Sequence, residues 1–536
     1  MSPLGLMFVS LGSIIGSGWL FGALYASQIA GPAAIIAWVA GGLMMLLLAL
    51  VHAELGSMHP VAGGSVRYPH FAFGSIVGFT IGWIVWAGAC TVAPIQVMAA
   101  LQYFTHYFPW LTSTAAGATV LTGPGIVVSV ALMALFTVLN LLGVATLAKS
   151  NNAIMVWKVA IPFLVVIVLM ILSFNASNLT AAEGFAPFGI QGMLSAISTG
   201  GIIFAYLGFE QAIQLGGESR NPGRNIPLAI IGAMLVSVVM YIGLQVAFLG
   251  AVHPEELENG WAQLSFPGVA GPFAGLAIAV GAGWLATLIY IDAAVSPGGT
   301  GLLYMASNSR LSFAMARNHY IPRQFGFLSE RGVPVVGIIF SFMVGCIIFL
   351  PFPGWQQLVG FITAGAAMGY ATVPLAFGAM RRQEPDHPRP FRLPAGEVLA
   401  PIAFIAANLL IYWAGWTVIW KLFVALAFGF VLLAVARATN SSERPLEWRG
   451  ASWLWPYLIG IAVTSYLGTF GGGLGVIPFG WDVVVVSVFS IAIYMLAISV
   501  RLTPEEVRRH VADAREEAEE VHEERPAERS TSRSAR

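Results

Sequence analysis

The sequence predicts an all-α polytopic membrane protein of about fourteen transmembrane helices, on three observations. Charge is scarce: Asp, Glu, Lys and Arg make up 9% of the 536 residues, against about 25% in an average soluble chain. Apolar surface is abundant, with 57% hydrophobic residues and a mean hydropathy of +0.80. The charge is also unevenly placed: the last 36 residues, Arg501 to Arg536, hold 18 of the 50 charged side chains. A body so depleted of charge belongs in a bilayer.

A hydrocarbon layer about 30 Å thick needs about 20 apolar residues of helix. Read that way, the first span covers 4–28 and the second 32–55. A long third covers 75–103, the fourth 125–147, the fifth 153–174, the sixth 192–216 and the seventh 226–252. The eighth, 272–296, runs into a further helical stretch that ends near Met315. Six more follow at 334–350, 356–380, 398–415, 418–436, 452–468 and 482–500. No cleavable signal peptide is expected before them. The Glu/Arg-rich tail reads as a solvated helical appendage.

Lys and Arg favour cytoplasmic loops. With both termini cytoplasmic, the inner loops collect 15 of the 17 basic residues that precede the tail. The outer loops hold none and carry Glu183, Glu255, Glu256, Glu258 and Asp482 instead. Lys158 and Lys421 fall within spans. A wrong span count would scramble this alternation.

Two spans carry helix-weakening runs near their middles. The first contains Gly12-Ser13-Ile14-Ile15-Gly16-Ser17-Gly18-Trp19, and each glycine costs a helix up to ~1 kcal/mol relative to alanine. The sixth contains Ser198-Thr199-Gly200-Gly201 and then Phe204-Ala205-Tyr206-Leu207-Gly208-Phe209-Glu210. Each opens a group of five spans, and interruptions at matching places in two halves point to a transporter binding site. Unwound backbone offers N–H groups that suit a carboxylate and carbonyls that suit an ammonium group. An α-amino acid presents both charges. The competing reading of such small residues is close helix packing.

The run IIGSGWLFG resembles the amino acid–polyamine–organocation permeases. So do Ala53-Glu54-Leu55-Gly56 through Gly63-Gly64-Ser65 and Tyr68-Pro69, the FAYLGFE run, and Glu218-Ser219-Arg220-Asn221-Pro222 with Arg224. Ser309-Arg310, Ala314-Met315-Ala316-Arg317 and Pro388-Arg389-Pro390-Phe391 extend the likeness over nearly the whole body. GFAPFG at 184–189, Trp284-Leu285-Ala286-Thr287-Leu288, SPGG at 296–299 and Phe470-Gly471-Gly472-Gly473-Leu474-Gly475 look like the bacterial aspartate:proton symporter branch. The resemblance implies a LeuT-type 5+5 inverted-repeat core over 1–382 with broken helices 1 and 6. It further implies four additional helices over 383–500, a charged cytoplasmic tail over 501–536, and alternating access with amino-acid cargo. It implies that N–H groups around Ser17, Gly18 and Trp19 hold the substrate carboxylate. The carbonyls of Ile14, Phe204 and Leu207 would take the amino group, with Tyr206 and Phe209 flanking or gating the pocket.

Ionisable groups at membrane depth cost about 2.5–3.5 kcal/mol on insertion scales and default to functional candidates. Lys158 stands where, by the resemblance, proton-coupled members place a lysine in the position of a sodium ion. The alternative is a side chain snorkelling to the interface near Asn151-Asn152. Glu210 reads either as a proton-sensing and gating carboxylate or as a cap for loose N–H groups. Asp292 is either a proton carrier or the partner of a buried cation. Glu54 and His52 fit a gate or interface better than a ligand set. Glu218, Arg220 and Arg224 suggest a cytoplasmic loop network, and Lys421 a snorkelling side chain.

Other classes find little support. No Gly-x-x-x-x-Gly-Lys-Ser/Thr loop and no Gly-x-Ser-x-Gly elbow appears, so neither an ATP-driven pump nor an enzyme is expected. The nine histidines lack metal-ligand spacing, so no metal and no cofactor are expected. Cys90 and Cys346 lie in apolar runs and imply no disulfide framework. No basic face is available for nucleic acid, and no filter-like repeat marks a channel. The expected partners are an amino acid, protons and membrane lipid, in the cell membrane. The leading expectation is proton-coupled uptake of an acidic amino acid; its rivals are neutral amino-acid symport and amino-acid exchange.

Overall fold

The computed structural model describes residues 1–61, 64–115, 118–143, 145–216, 219–266, 271–317, 320–329, 331–350, 354–438 and 446–523. It is 78% helical, and its one sheet among these residues is an antiparallel hairpin of Thr112–Ala115 and Ala118–Leu121. A helix stands at each of the fourteen expected places. The first span is two helices, Pro3–Ile14 and Gly18–Ala30, and the second is Ala34–Met58. The third to fifth are Ser75–Phe104, Gly123–Leu141 and Ala145–Leu172. The sixth joins Gly189–Thr199 to Ile202–Tyr206, and the seventh is Pro222–Ala251. The eighth to tenth are Gly283–Arg317, Val335–Ile348 and Trp355–Gln383. The last four are Gly396–Trp413, Trp416–Ala438, Leu454–Leu467 and Trp481–Ser499.

Among the described residues, nine helices are long and apolar enough to cross a membrane, or ten with the bent sixth span, when Gly18–Met58 is taken as one run. The chain is a multi-pass membrane protein. The ninth and thirteenth spans are shorter, at 14 residues each. The eighth is long, at 35 residues, but polar. Its Asp292, Ser296, Thr300 and Asn308 are all buried, so those groups face protein and not lipid.

The eighth span also corrects the expected boundary. Helix Pro272–Ala279 stops on its own. The chain turns at Val280-Gly281-Ala282, where the Ala282 N–H donates to the Ala277 carbonyl at 2.8 Å. The membrane helix begins only at Gly283. A continuous apolar pattern hides such a turn, because hydropathy does not report backbone direction.

The third and tenth spans are buried along most of their length, whereas the fourth and twelfth expose most of theirs. Val127, Ile171, Val424 and Phe428 point outward, which forms the lipid-facing surface such a protein needs. Within the last four spans, Asn408 bonds Ser490 at 2.9 Å and accepts from the Tyr457 hydroxyl at 2.8 Å. The Phe470–Gly475 run packs on the turn between the eleventh and twelfth spans. A Cβ on Gly415 would lie 2.5 Å from the Gly471 Cα, and the Thr417 N–H donates to the Gly471 carbonyl at 2.8 Å. That run is a packing turn.

The tail is not simply a solvated appendage. Helix Pro504–Glu523 buries Val507, Val511 and Ala514 and packs on a short helix, Gly64–Phe73, that follows the second span. The Leu502 N–H donates to the Ala72 carbonyl at 3.0 Å. Glu447 accepts from the Ser75 N–H at 2.7 Å and from its hydroxyl, and lies 3.4 Å from His510 Nε2. The His70 and His510 rings meet at 4.4 Å. Burial pushes the Glu447 carboxyl up, but hydrogen bonds from His510 and Ser75 outweigh it and hold the group at about 2, against an ordinary 4.5. A carboxyl depressed on docking stabilises the docked helix above 4.5, and that stabilisation is lost as pH falls toward 2. Glu447→Gln should therefore loosen the helix already at neutral pH, read as faster tryptic cleavage at Arg508 and Arg509. Cleavage at the wild-type rate would remove Glu447 from the docking.

Candidate functional site

The two interruptions meet in the interior. The first helix ends at Ile14 and restarts at Gly18. The sixth span breaks at Gly200-Gly201 and again at Leu207-Gly208, with a bend of 42° at the first break. Gly201 and Gly208 have φ of +89° and +117°, a region that L side chains avoid. The two breaks touch. A Cβ on Gly18 would lie 2.8 Å from the Ala205 Cα, and one on Gly208 would lie 2.7 Å from the Ser13 Cβ. The small residues thus serve close packing and unwinding together.

Between the breaks lies a narrow cavity of about 10 Å³. Ser13, Ile14, Gly16 and Gly18 line it from the first span, and Phe204 and Leu207 from the sixth. Val92 and Gln96 of the third span and Thr300 and Tyr304 of the eighth complete the wall. The first turn of helix Gly18–Ala30 opens on this space. Its N–H groups have no intrahelical partners and sit at the positive end of the helix dipole.

The broken first helix is tied open by side chains from other spans. The Ser17 N–H donates to Gln96 Oε1 at 2.7 Å, and Trp355 Nε1 donates to the Ser17 hydroxyl at 2.8 Å. The Ile14 carbonyl accepts from the Tyr241 hydroxyl at 3.1 Å. The Lys158 ammonium donates to the Gly12 carbonyl at 2.6 Å and to Thr300 Oγ1 at 2.9 Å. Thr300 Oγ1 also lies 3.0 Å and 3.1 Å from the carbonyls of Gly12 and Ile15. Lys158 is fully buried, so it does not snorkel. Its amine replaces bonds the helix gives up at the break.

Asp292 is equally enclosed. One carboxylate oxygen accepts from Trp19 Nε1 at 2.9 Å; the other accepts from Trp157 Nε1 and the Ser296 hydroxyl, both at 2.8 Å. Three donors stand in for water around the carboxylate, and two of them are ring N–H groups that anchor the first and fifth spans to the eighth. Glu210 Oε2 accepts from the Gly208 N–H at 3.1 Å and the Tyr370 hydroxyl at 2.6 Å, which makes it a cap at the second break. Tyr206 and Phe209 do not line the cavity. Tyr206 packs on Trp38 and Tyr241, and Phe209 on His52 and Tyr370. Gln96, Thr300, Tyr304, Tyr241 and Trp355 escape the sequence reading. Polar groups in mid-span were a usable signal for Gln96 and Thr300.

On the arginine-rich face, Glu54 closes the second span onto the tenth. It receives Arg381 at 2.7 Å and 3.0 Å in a bidentate pair, the Leu393 N–H at 2.6 Å, and Arg389 at 3.4 Å. Phe391 N–H reaches the Ser57 hydroxyl at 3.3 Å. Glu54 is buried and fits the gate reading. Glu218 of the expected loop network lies outside the described residues. The fold also brings together three residues that could hold a metal ion, His59, Glu384 and His387, with ligand atoms within 4.8 Å of one another. Spacing along the chain could not reveal them, since His59 and Glu384 are 325 residues apart.

Comparison with known proteins agrees with this geometry. The description of the amino acid permease family matches residues 1–463. A glutamate/serine transporter of Bacillus subtilis is 39% identical over 508 residues, covering 93% of each chain. An aspartate-proton symporter of the same organism is 38% identical over 504 residues, covering 93% of this chain and 95% of its own. A branched-chain amino acid permease of B. subtilis is 26% identical over 444 residues, covering 80% and 90%. These relatives are named as transporters and permeases. With two broken helices walling one interior cavity and a family match over most of its length, the chain belongs to the amino acid permeases of the amino acid–polyamine–organocation superfamily.

Proposed function

We propose that the chain is a secondary transporter that carries an acidic amino acid into the cell together with protons, by alternating access. The observation that carries this reading is the Lys158 ammonium bonded to the Gly12 carbonyl beside the cavity. An amine that exchanges its proton there gains or loses its hold on the broken helix, and so links proton binding to the shape of the substrate site. The relatives named as an aspartate-proton symporter and a glutamate/serine transporter support the same cargo and coupling. The substrate carboxylate sits at the helix N-terminus around Ser17, Gly18 and Trp19, and takes the Ser17 N–H only in exchange for Gln96 Oε1. Its amino group takes the carbonyls of Phe204 and Leu207, and that of Ile14 only in exchange for the Tyr241 hydroxyl. Among Lys158, Glu210 and Asp292, Lys158 is the coupling group; the other two hold the second break and the indoles of Trp19 and Trp157.

Residues 1–382 form the inverted-repeat core, 383–500 an added four-helix layer, and 501–536 a cytoplasmic tail. The arginine-rich face and both termini face the cytoplasm, so the Glu54–Arg381 pair closes the inner side. A second reading, neutral amino-acid symport, draws on the cavity wall itself. Its lining residues include no Lys or Arg, so an acidic side chain would meet only neutral donors such as Gln96 and Thr300.

Radiolabelled aspartate uptake into proteoliposomes, without sodium and at fixed membrane potential, tests both. An imposed inward proton gradient should drive accumulation. Lys158→Ala should lower gradient-driven uptake by roughly tenfold or more, within the usual range of coupling energies, while counterflow exchange survives. Uptake unaffected by Lys158→Ala would remove the lysine from coupling. Displacement of a bound label by serine but not by aspartate would favour the neutral reading.

Close contact between the breaks gives a separate expectation. Gly18→Ala should abolish uptake with normal membrane insertion, because its Cβ meets both the Cα and the Cβ of Ala205 at 2.8 Å. Adding Ala205→Gly removes one of those contacts and should restore part of the activity. Full uptake by Gly18→Ala alone would mean that the two helices separate at little cost.

A further inference from the structure

We propose that His59, Glu384 and His387 form a divalent-metal site of the zinc class that ties the end of the second span to the end of the tenth. His59 is the residue that caps helix Ala34–Met58, and Glu384 caps helix Trp355–Gln383. His387 follows in a turn closed by its own N–H on the Glu384 carbonyl at 3.3 Å. Two imidazoles and one carboxylate, with one open position, are a donor set that zinc accepts.

The distances suit such an ion. Zinc bonds of about 2.0–2.1 Å in a tetrahedron separate the ligand atoms by roughly 3.3 Å. His59 Nε2 lies 2.8 Å from one Glu384 oxygen, and His387 Nδ1 lies 3.6 Å from the other. The two rings face each other with centroids 4.7 Å apart. The three ligand atoms lie within 4.8 Å of one another, so an ion between them draws the ligands closer by up to about 1.5 Å.

Burial and charge agree. The side chains are 1%, 11% and 25% exposed for His59, Glu384 and His387, so the site is walled on one side and reached by water on the other. The nearest cations are occupied. Arg389 bonds the backbone carbonyl of Glu384 at 2.9 Å and directs its charge at Glu54, and Arg381 pairs with Glu54 as well. The Glu384 carboxylate is thereby left to the histidines. His59 Nε2 meets the Glu384 carboxylate at 2.8 Å as a donor, and Nδ1 has no hydrogen-bond partner, so an ion that takes Nε2 displaces that proton and meets no competing bond at Nδ1. Binding requires both imidazoles to be neutral and releases any proton they carry. An ion here cross-links two spans beside the Glu54–Arg381 pair, and so holds that face shut.

The probe is the metal alone, added to the purified full-length protein in detergent near neutral pH. Cobalt should give the visible bands of a tetrahedral N/O site, and zinc should displace them with one equivalent per chain. His387→Ala, placed at a part-exposed turn, and His59→Gln should each weaken zinc binding by at least about tenfold. Asp386→Ala, in the same turn but outside the ligand set, should bind as wild type does. In proteoliposomes, zinc that arrests wild-type uptake should leave His387→Ala active. Absence of tetrahedral cobalt bands in wild type, or zinc affinity unchanged in both histidine variants, would overturn the proposal. Binding without any effect of zinc on uptake would overturn the cross-link.

Discussion

The unwound turn at Ile15–Ser17 cannot persist inside a bilayer unless other groups take over the hydrogen bonds its backbone gives up. Each such group left bare in hydrocarbon costs several kcal/mol. Here Gln96 of the third span and Thr300 of the eighth bond that turn's backbone, Lys158 of the fifth and Tyr241 of the seventh bond the carbonyls of Gly12 and Ile14 just before it, and Trp355 of the tenth bonds the Ser17 hydroxyl. The cavity exists because these partners hold the break open. Their spans are fixed relative to one another by the same bonds.

A cation among them changes the character of the site. A neutral donor at the position of Lys158 would satisfy the Gly12 carbonyl without responding to protons. An ammonium with two bonds, at 2.6 Å and 2.9 Å, holds it more strongly than a neutral donor would. Asp292 is held by three donors of its own, and Glu210 by two. The carboxylates thus act as anchors for indoles and backbone, which keeps the broken helices in register with the scaffold around them.

The arginine-rich face is organised on a different principle. There carboxylates find basic side chains, Glu54 meeting Arg381 and Arg389, and Glu447 meeting the tail's His510. These contacts join segments far apart in sequence: the second span to the tenth, and the tail helix to the loop before the thirteenth span.

Several features were legible in the chain itself, because they are local. Apolar runs marked where the helices stand, and glycine-rich runs marked the two breaks. Lys158, Glu210 and Asp292 stood out as charges in apolar surroundings. The eighth span was misplaced because its apolar pattern runs through a turn, and the tail was read as solvated because its few apolar residues look sparse without the surface they cover. Tyr206 and Phe209, adjacent to the pocket carbonyls in sequence, turn away from the cavity. The sequence alone determined where the helices stand and where they fail, since both depend on composition within a few turns. Only the tertiary structure decided which side chains close those failures and which histidines meet Glu384, because hydrogen bonds between groups hundreds of residues apart leave no trace in local composition.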